Sequence, residues 1–231
     1  MQEHELSRYF SEVFPFFDTL AADEQHLLIA AARPRICEPS EIVHSGDHHC
    51  TGPLLLRRGR VRAYMLSEEG REITLYRLAA GDFCPLSAPC LIESTPSIDV
   101  TLEAECRTEL LVFDATVLAT LCRRSPTVEC FILRTAMRRL SEVMQAFRGV
   151  IFQSLDRRLA AFLVGETDRR GGDTVFLTQE EIARYTGSAR EAISRRLKAL
   201  AAEGRIEVRR GAVRLLDPAA LRALADGIKQ G

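Results

Sequence analysis

The sequence predicts an α+β chain in three parts. A β-rich domain spans residues 1–125, one long helix spans 126–153, and a compact helical domain closed by a β-hairpin spans 154–231. Three patterns predict this. Short apolar runs separated by glycines fill residues 36–113, as in an antiparallel sandwich or barrel. An unbroken heptad of apolar residues follows Pro126. Paired helix-start signals then flank a Thr-Gly turn at 186–187.

Residues 6–32 read as short helices, which Pro34 and Pro39 break. The strand-like runs are 41–44, 53–56, 60–66, 72–78, 98–102 and 109–113. Gly46-Asp47, Gly59, Gly70 and Gly81-Asp82 punctuate them. After Pro126, the positions Cys130, Leu133, Met137, Leu140, Met144, Phe147 and Ile151 alternate steps of three and four. That is an a/d seam, which suits two parallel helices better than one helix lying on its own barrel.

Ser154 is placed to cap the next helix, whose apolar face is Leu155, Leu159, Phe162 and Leu163; Arg169 to Gly172 form a basic turn. Two capping boxes follow: Thr178 with Glu181, and Ser188 with Glu191. Gly187 between them can take the left-handed conformation that ends a helix. Ile182, Ala183, Ile193, Leu197 and Leu200 fall on inward faces. Arg190, Glu191, Ser194, Arg195 and Lys198 are left on the outward face of the second helix. This is a helix-turn-helix whose outward set suits a DNA groove. Arginine forks onto guanine O6 and N7, and glutamate accepts from cytosine N4. Residues 206–209 and 213–216 flank Arg210-Gly211 as a wing hairpin. Arg205, Arg209, Arg210 and Arg214 stand there as candidate phosphate contacts.

The run from Ser188 to Arg195 resembles the recognition helix of the cyclic-AMP receptor protein / fumarate-nitrate reduction regulator (Crp/Fnr) family. The resemblance implies that Arg190, Glu191 and Arg195 read an operator half-site. Thr178, Ser188, Ser194 and Lys198 complete the DNA-binding set. Ser194 before Arg195 is similar to the fumarate-nitrate branch, and Arg190 to the cyclic-AMP branch. Half-sites of the TGTGA and TTGAT types are therefore both open. The run LLLRRGRVRAYMLSEEGREITLYRLAAGDF resembles the family's cyclic-nucleotide-binding jelly roll. The family dimerises through its long helix. The seam of Leu133, Met137, Leu140, Met144, Phe147 and Ile151 is thus expected to form a homodimer on a palindromic operator, with RNA polymerase as a further partner.

The family's effectors vary. A cyclic-AMP pocket would need Gly-Glu and then Arg-Ser. Here Gly81-Asp82 is present, but no arginine lies near Pro96 and Ser97, which argues against a buried cyclic phosphate. The first cysteine is Cys37, so an N-terminal iron–sulfur cluster is not expected. The stretch GDFCPLSAPCLIEST resembles the carbon-monoxide-sensing haem branch. That resemblance makes Cys84 a candidate haem-iron ligand and Cys90 a second sensor cysteine. Cys84 is displaced by one residue, and Ser87 stands where the branch has a histidine. His44, His48 and His49 are upstream candidates, since haem iron takes Cys or His. Two alternatives stay open. Cys84 and Cys90 could serve thiol redox, persulfide or soft-metal sensing, or both could be packing residues beside a small-molecule effector other than cyclic AMP.

Composition bounds the rest. The chain has 231 residues, 46% hydrophobic and 27% charged, with seven cysteines. No apolar run approaches the ~20 residues of a membrane span. Without an export signal, an odd cysteine count suggests a reducing cytoplasm. From Leu155 onward 15 Lys and Arg face 11 Asp and Glu, a net +4 against −1 for the whole chain. A basic C-terminal part suits nucleic acid. No enzyme-grade pairing of nucleophile and base is found, so a non-enzymatic regulator is expected.

Overall fold

A computed structural model of the chain describes residues 3–45, 51–67, 72–85 and 100–227. The chain divides into two compact units, one of residues 1–64 and 76–143, the other of 65–75 and 144–231.

The first unit begins with helix α1 (Glu3–Val13), a 3-10 turn (Phe17–Thr19) and α2 (Ala22–Ala31). Eight strands follow: β1 (Ala32–Cys37), β2 (Ile42–His44), β3 (Leu54–Arg58), β4 (Val61–Leu66), β5 (Glu72–Leu78), β6 (Phe83–Cys84), β7 (Thr101–Ala104) and β8 (Thr108–Phe113). They form two four-stranded sheets, ordered β1-β8-β3-β6 and β2-β7-β4-β5. Pro34 sits in β1, which among the described residues pairs with β8 alone, so its missing N–H interrupts no central ladder.

Strands β3 and β8 are covered on both faces, because successive strand side chains point to opposite sides and Leu55 and Leu111 pack with Phe10 and Leu28 of the helices. Leu54, Leu55 and Leu56 are all buried, as are Val61, Ala63, Leu110 and Leu111. An aromatic cluster seals one end. Phe14 lies 5.6 Å from Phe83 and from Phe131 and 5.9 Å from Phe113, each ring edge-on. Edge-to-face pairs of this kind add about 0.5–1.5 kcal/mol each beyond burial.

Gly59 closes the β3–β4 turn at φ +92°. A Cβ there would stand 2.7 Å from the Thr108 Cα and 2.9 Å from the Arg107 carbonyl oxygen. Backbone strain and backbone collision therefore act together. Gly59→Ala is expected to lower stability by about 2 kcal/mol or more. Urea denaturation measures it, and a loss under 0.5 kcal/mol would show that the turn relaxes.

A helix the sequence reading passed over, α3 (Ala115–Arg124), follows β8. Asp114 caps it by accepting from the Thr116 N–H at 2.8 Å, and Arg123 and Arg124 complement its C-terminal end. The Thr116 hydroxyl also donates to Asp114, and these bonds hold the Asp114 carboxyl below its usual range.

Helix α4 (Pro126–Phe152) is 27 residues long. Val128, Ile132, Thr135 and Arg139 are its buried residues. The predicted seam points elsewhere: Leu133, Met137, Leu140, Met144 and Ile151 are 45–67% exposed, Cys130 is exposed and Phe147 is half-buried. A single chain leaves this row of large apolar side chains uncovered.

The second unit carries α5 (Leu155–Arg170), β9 (Thr174–Val175), α6 (Gln179–Thr186), α7 (Arg190–Ala202), β10 (Ile206–Arg209), β11 (Ala212–Leu215) and α8 (Pro218–Asp226). Its sheet runs β10-β11-β9. Leu159, Leu163, Val175, Ile182, Ile193, Leu197, Leu200, Ile206, Val213 and Leu221 form one core. No helix among the described residues is long and apolar enough to cross a membrane.

Candidate nucleic-acid interface and sensor residues

The helix-turn-helix is built from α6 and α7. Thr178 and Glu181 form the expected capping box. The Thr178 hydroxyl accepts from the Glu181 N–H at 3.2 Å, and Glu181 Oε2 accepts from the Thr178 N–H at 2.6 Å. Gly187 ends α6 at φ 61°, ψ 44°, and the Ser188 N–H reaches back to the Ala183 carbonyl at 3.0 Å. This is the six-to-one bond of a glycine-terminated helix.

The second capping box is not formed. The N-cap of α7 is Ala189, with no side-chain hydrogen bond. Ser188 lies one residue too early. Its hydroxyl donates to the Thr186 carbonyl at 3.3 Å and accepts from Arg158 Nη2, also at 3.3 Å. The glycine turn takes up one more residue than the spacing S-x-x-E allows for. Thr178→Ala is expected to cost about 1 kcal/mol and to fray the first turn of α6. In Ser188→Ala, amide exchange in the first turn of α7 should be unchanged. Faster exchange there would reinstate the cap.

On α7, Ile193, Leu197 and Leu200 are buried. Arg190, Glu191, Arg195 and Lys198 are exposed and Ser194 is half-buried. Among the described residues the four charged side chains have no hydrogen-bond or ion-pair partner. Arg196, one helical step from Arg195, behaves differently. It is half-buried and forms a short ion pair with Asp156 on α5. Arg158, also on α5, holds Ser188, and burial depresses its pKa. These two arginines position the reading helix. Neither is marked by a motif in the sequence, although the 3.6-residue period separates Arg196 from Arg195.

The wing also sorts its arginines. Arg205 pairs with Glu203 at 2.9 Å, Arg209 with Glu207 at 2.9 Å and Arg214 with Asp173 at 2.8 Å. Arg210, at the hairpin tip, has no such partner among the described residues. Arg169 and Arg170 are the last residues of α5 rather than part of a free turn, and both reach Glu166.

Among the sensor candidates, Cys84 is fully buried on β6. Its Sγ lies 3.7 Å from the Tyr76 hydroxyl. Burial first, then the neighbouring thiol, raises the Tyr76 pKa well above its ordinary value. The Arg139 guanidinium sits 5.3 Å from the centre of the Tyr76 ring. Arg139 also bonds Asp82 at 2.9 Å and Glu142 at 2.9 Å. Burial alone would lower its pKa, but the bonds and charges of Glu142 and Asp82 outweigh that and raise it. Arg139 therefore ties α4 to the turn before β6, within the first unit.

Haem does not fit what surrounds Cys84. The thiol is packed in the sheet interior against Tyr76, and a macrocycle at the sulfur would have to displace that ring. His44 is also buried, with its Nδ1 2.8 Å from the Thr51 hydroxyl. Cys84, the candidate iron ligand, is a packed core thiol in this structure. Cys90, Ser87, Pro96, Ser97, His48 and His49 lie outside the described residues. Among the described residues no group of three or more His, Cys, Asp or Glu could hold a metal ion.

Comparison with known proteins agrees with this architecture. Residues 157–224 match the Crp-like helix-turn-helix domain, and residues 35–125 match the cyclic nucleotide-binding domain. A structure from Eubacterium rectale assigned to the crp/fnr family of transcriptional regulators is 36% identical. The match covers 93% of this chain and 99% of that one, with a TM-score of 0.88. The cyclic AMP receptor protein of Thermus thermophilus is 29% identical over 216 residues, 93% of this chain and 98% of that one. CooA from Carboxydothermus hydrogenoformans, a mutant structure, shares the fold at 23% identity and TM-score 0.63, over 85% of this chain and 88% of that one. With both halves matched and a near-full-length relative at that identity, the chain belongs to the Crp/Fnr family: it is a DNA-binding transcription regulator with an effector-binding domain, and not an enzyme.

Proposed function

We propose that the chain acts as a cytoplasmic homodimer. Two copies would join along Leu133, Met137, Leu140, Met144, Phe147 and Ile151, and each would set α7 into a major groove. The observation that carries this reading is the pairing of two uncovered surfaces: an apolar row on α4 and an unpartnered charged row on α7. Arg190, Glu191 and Arg195 read bases, with a G·C pair opposite Glu191 and Arg195. Thr178, Ser194 and Lys198 support the contact, and Arg210 reaches a phosphate. Ser188 acts through Arg158 as a positioning residue. A two-fold dimer requires inverted half-sites about one helical turn apart.

Selection of bound sequences from a random DNA pool tests this. The expected result is an inverted repeat with TGTGA-type or TTGAT-type arms. Enrichment of a single arm, or of no sequence, would contradict it. Once bound at a promoter, the dimer is proposed to contact RNA polymerase.

For the effector we propose a small molecule other than cyclic AMP, taken up by the first unit. The supporting observation is that Cys84 is buried and Arg139 is already held by two carboxylates. A buried thiol is a poor redox sensor, and an engaged guanidinium is a poor phosphate partner. The Asp82–Arg139 pair would carry occupancy of the β-domain to α4, where small shifts along the seam re-aim two recognition helices.

A further inference from the structure

A cavity lies between the N-terminal helical segment and the first turns of α4. It measures about 320 Å³ and is lined by Pro15, Phe16, Thr19, Thr127, Cys130, Phe131 and Arg134. That is within the size range of small-molecule pockets. The Phe16 and Phe131 rings pack against each other with centroids 5.2 Å apart, and both belong to the aromatic cluster that seals the β-domain. The floor is therefore aromatic and apolar.

The polar groups at this cavity carry one sign. Thr127, Cys130, Phe131 and Arg134 share a face of α4 by their three- and four-residue spacing. None of the lining residues is acidic. Arg134 is exposed and has no hydrogen-bond or ion-pair partner among the described residues. An apolar floor under a lone cation selects a ligand with an apolar body and an anionic head.

We propose that this cavity binds a small monocarboxylate with an aliphatic or aromatic body, its carboxylate on Arg134 and its body on Phe16 and Phe131. The binding does not rest on the dimer or the operator. Cys130, exposed at the rim, reports occupancy.

The test uses the full chain with octanoate as probe, and octylamine and octanol as controls. N-ethylmaleimide alkylation of the Cys130 peptide is followed by mass spectrometry, and octanoate binding by calorimetry. Octanoate is expected to slow Cys130 alkylation several-fold while octylamine and octanol do not. Arg134→Ala, at an exposed position, should weaken octanoate binding about tenfold, the usual loss for one charge-assisted bond. Three results would overturn the proposal: no protection at millimolar octanoate, equal protection by octylamine or octanol, or unchanged octanoate binding in Arg134→Ala. Because Cys130 also heads the apolar row on α4, all arms are compared at one protein concentration, so that any cover by a second copy is common to them.

Discussion

A chain carrying both Met137→Glu and Leu140→Glu is expected to be a folded monomer that no longer binds its operator. Met137 and Leu140 are 60% and 45% exposed in the single chain. Their replacement therefore removes nothing from the core that Val128, Ile132, Thr135 and Arg139 enter. In a parallel pair each substitution acts twice. Four apolar side chains at ~1.5 kcal/mol or more apiece amount to about 6 kcal/mol, roughly four decades in the dimer dissociation constant. Like charges facing across the seam add to the loss. Sedimentation at micromolar concentration measures the state, and circular dichroism checks the fold. A dimer that persists would place the interface elsewhere and leave the exposed row without a role.

The second large effect concerns base reading. Glu191→Ala and Arg195→Ala are each expected to cost about 1–3 kcal/mol per half-site on the selected operator. Each side chain is exposed and has no hydrogen-bond or ion-pair partner among the described residues, so folding should not change. Binding to random DNA rests on phosphate contacts and should stay within about twofold for Glu191→Ala. Arg210→Ala should do the reverse, weakening operator and random DNA alike and lowering the salt dependence by about one counterion per half-site. Competition titrations at fixed salt separate the two patterns. Equal losses on both DNAs for Glu191→Ala would remove that residue from direct readout.

Legibility in the sequence tracked how local each signal was. The strands at 42–44, 61–66 and 72–78 and the helix from Pro126 could be read because apolar period and glycine turns are properties of short windows. The Thr178 box could be read for the same reason. Its apparent twin at Ser188 failed because the turn around Gly187 starts α7 one residue later, with Ala189 as the N-cap, and leaves Ser188 bonded to the Thr186 carbonyl and to Arg158, thirty residues earlier. Strand β1 was hidden by Pro34, which reads as a breaker until its place at the end of the sheet order, beside β8, is known. Helix α3 was hidden by adjacency to β8, although Asp114 and the terminal Arg123-Arg124 pair marked both ends. The sensor residues were the least legible. Whether Cys84 is a ligand, a reactive thiol or core depends on Tyr76 and on Arg139, fifty-five residues further on, a long-range arrangement that no spacing rule encodes.

The measurement that tests the account most directly is the binding of the full chain to its selected operator and to the same operator with five base pairs inserted between the arms. The insertion turns one half-site by about half a helical turn. A two-fold dimer joined along α4 should bind the intact operator as two chains per duplex and lose about a hundredfold or more on the insert. One chain per duplex, or equal affinity for both duplexes, would contradict the paired reading helices on which the account rests.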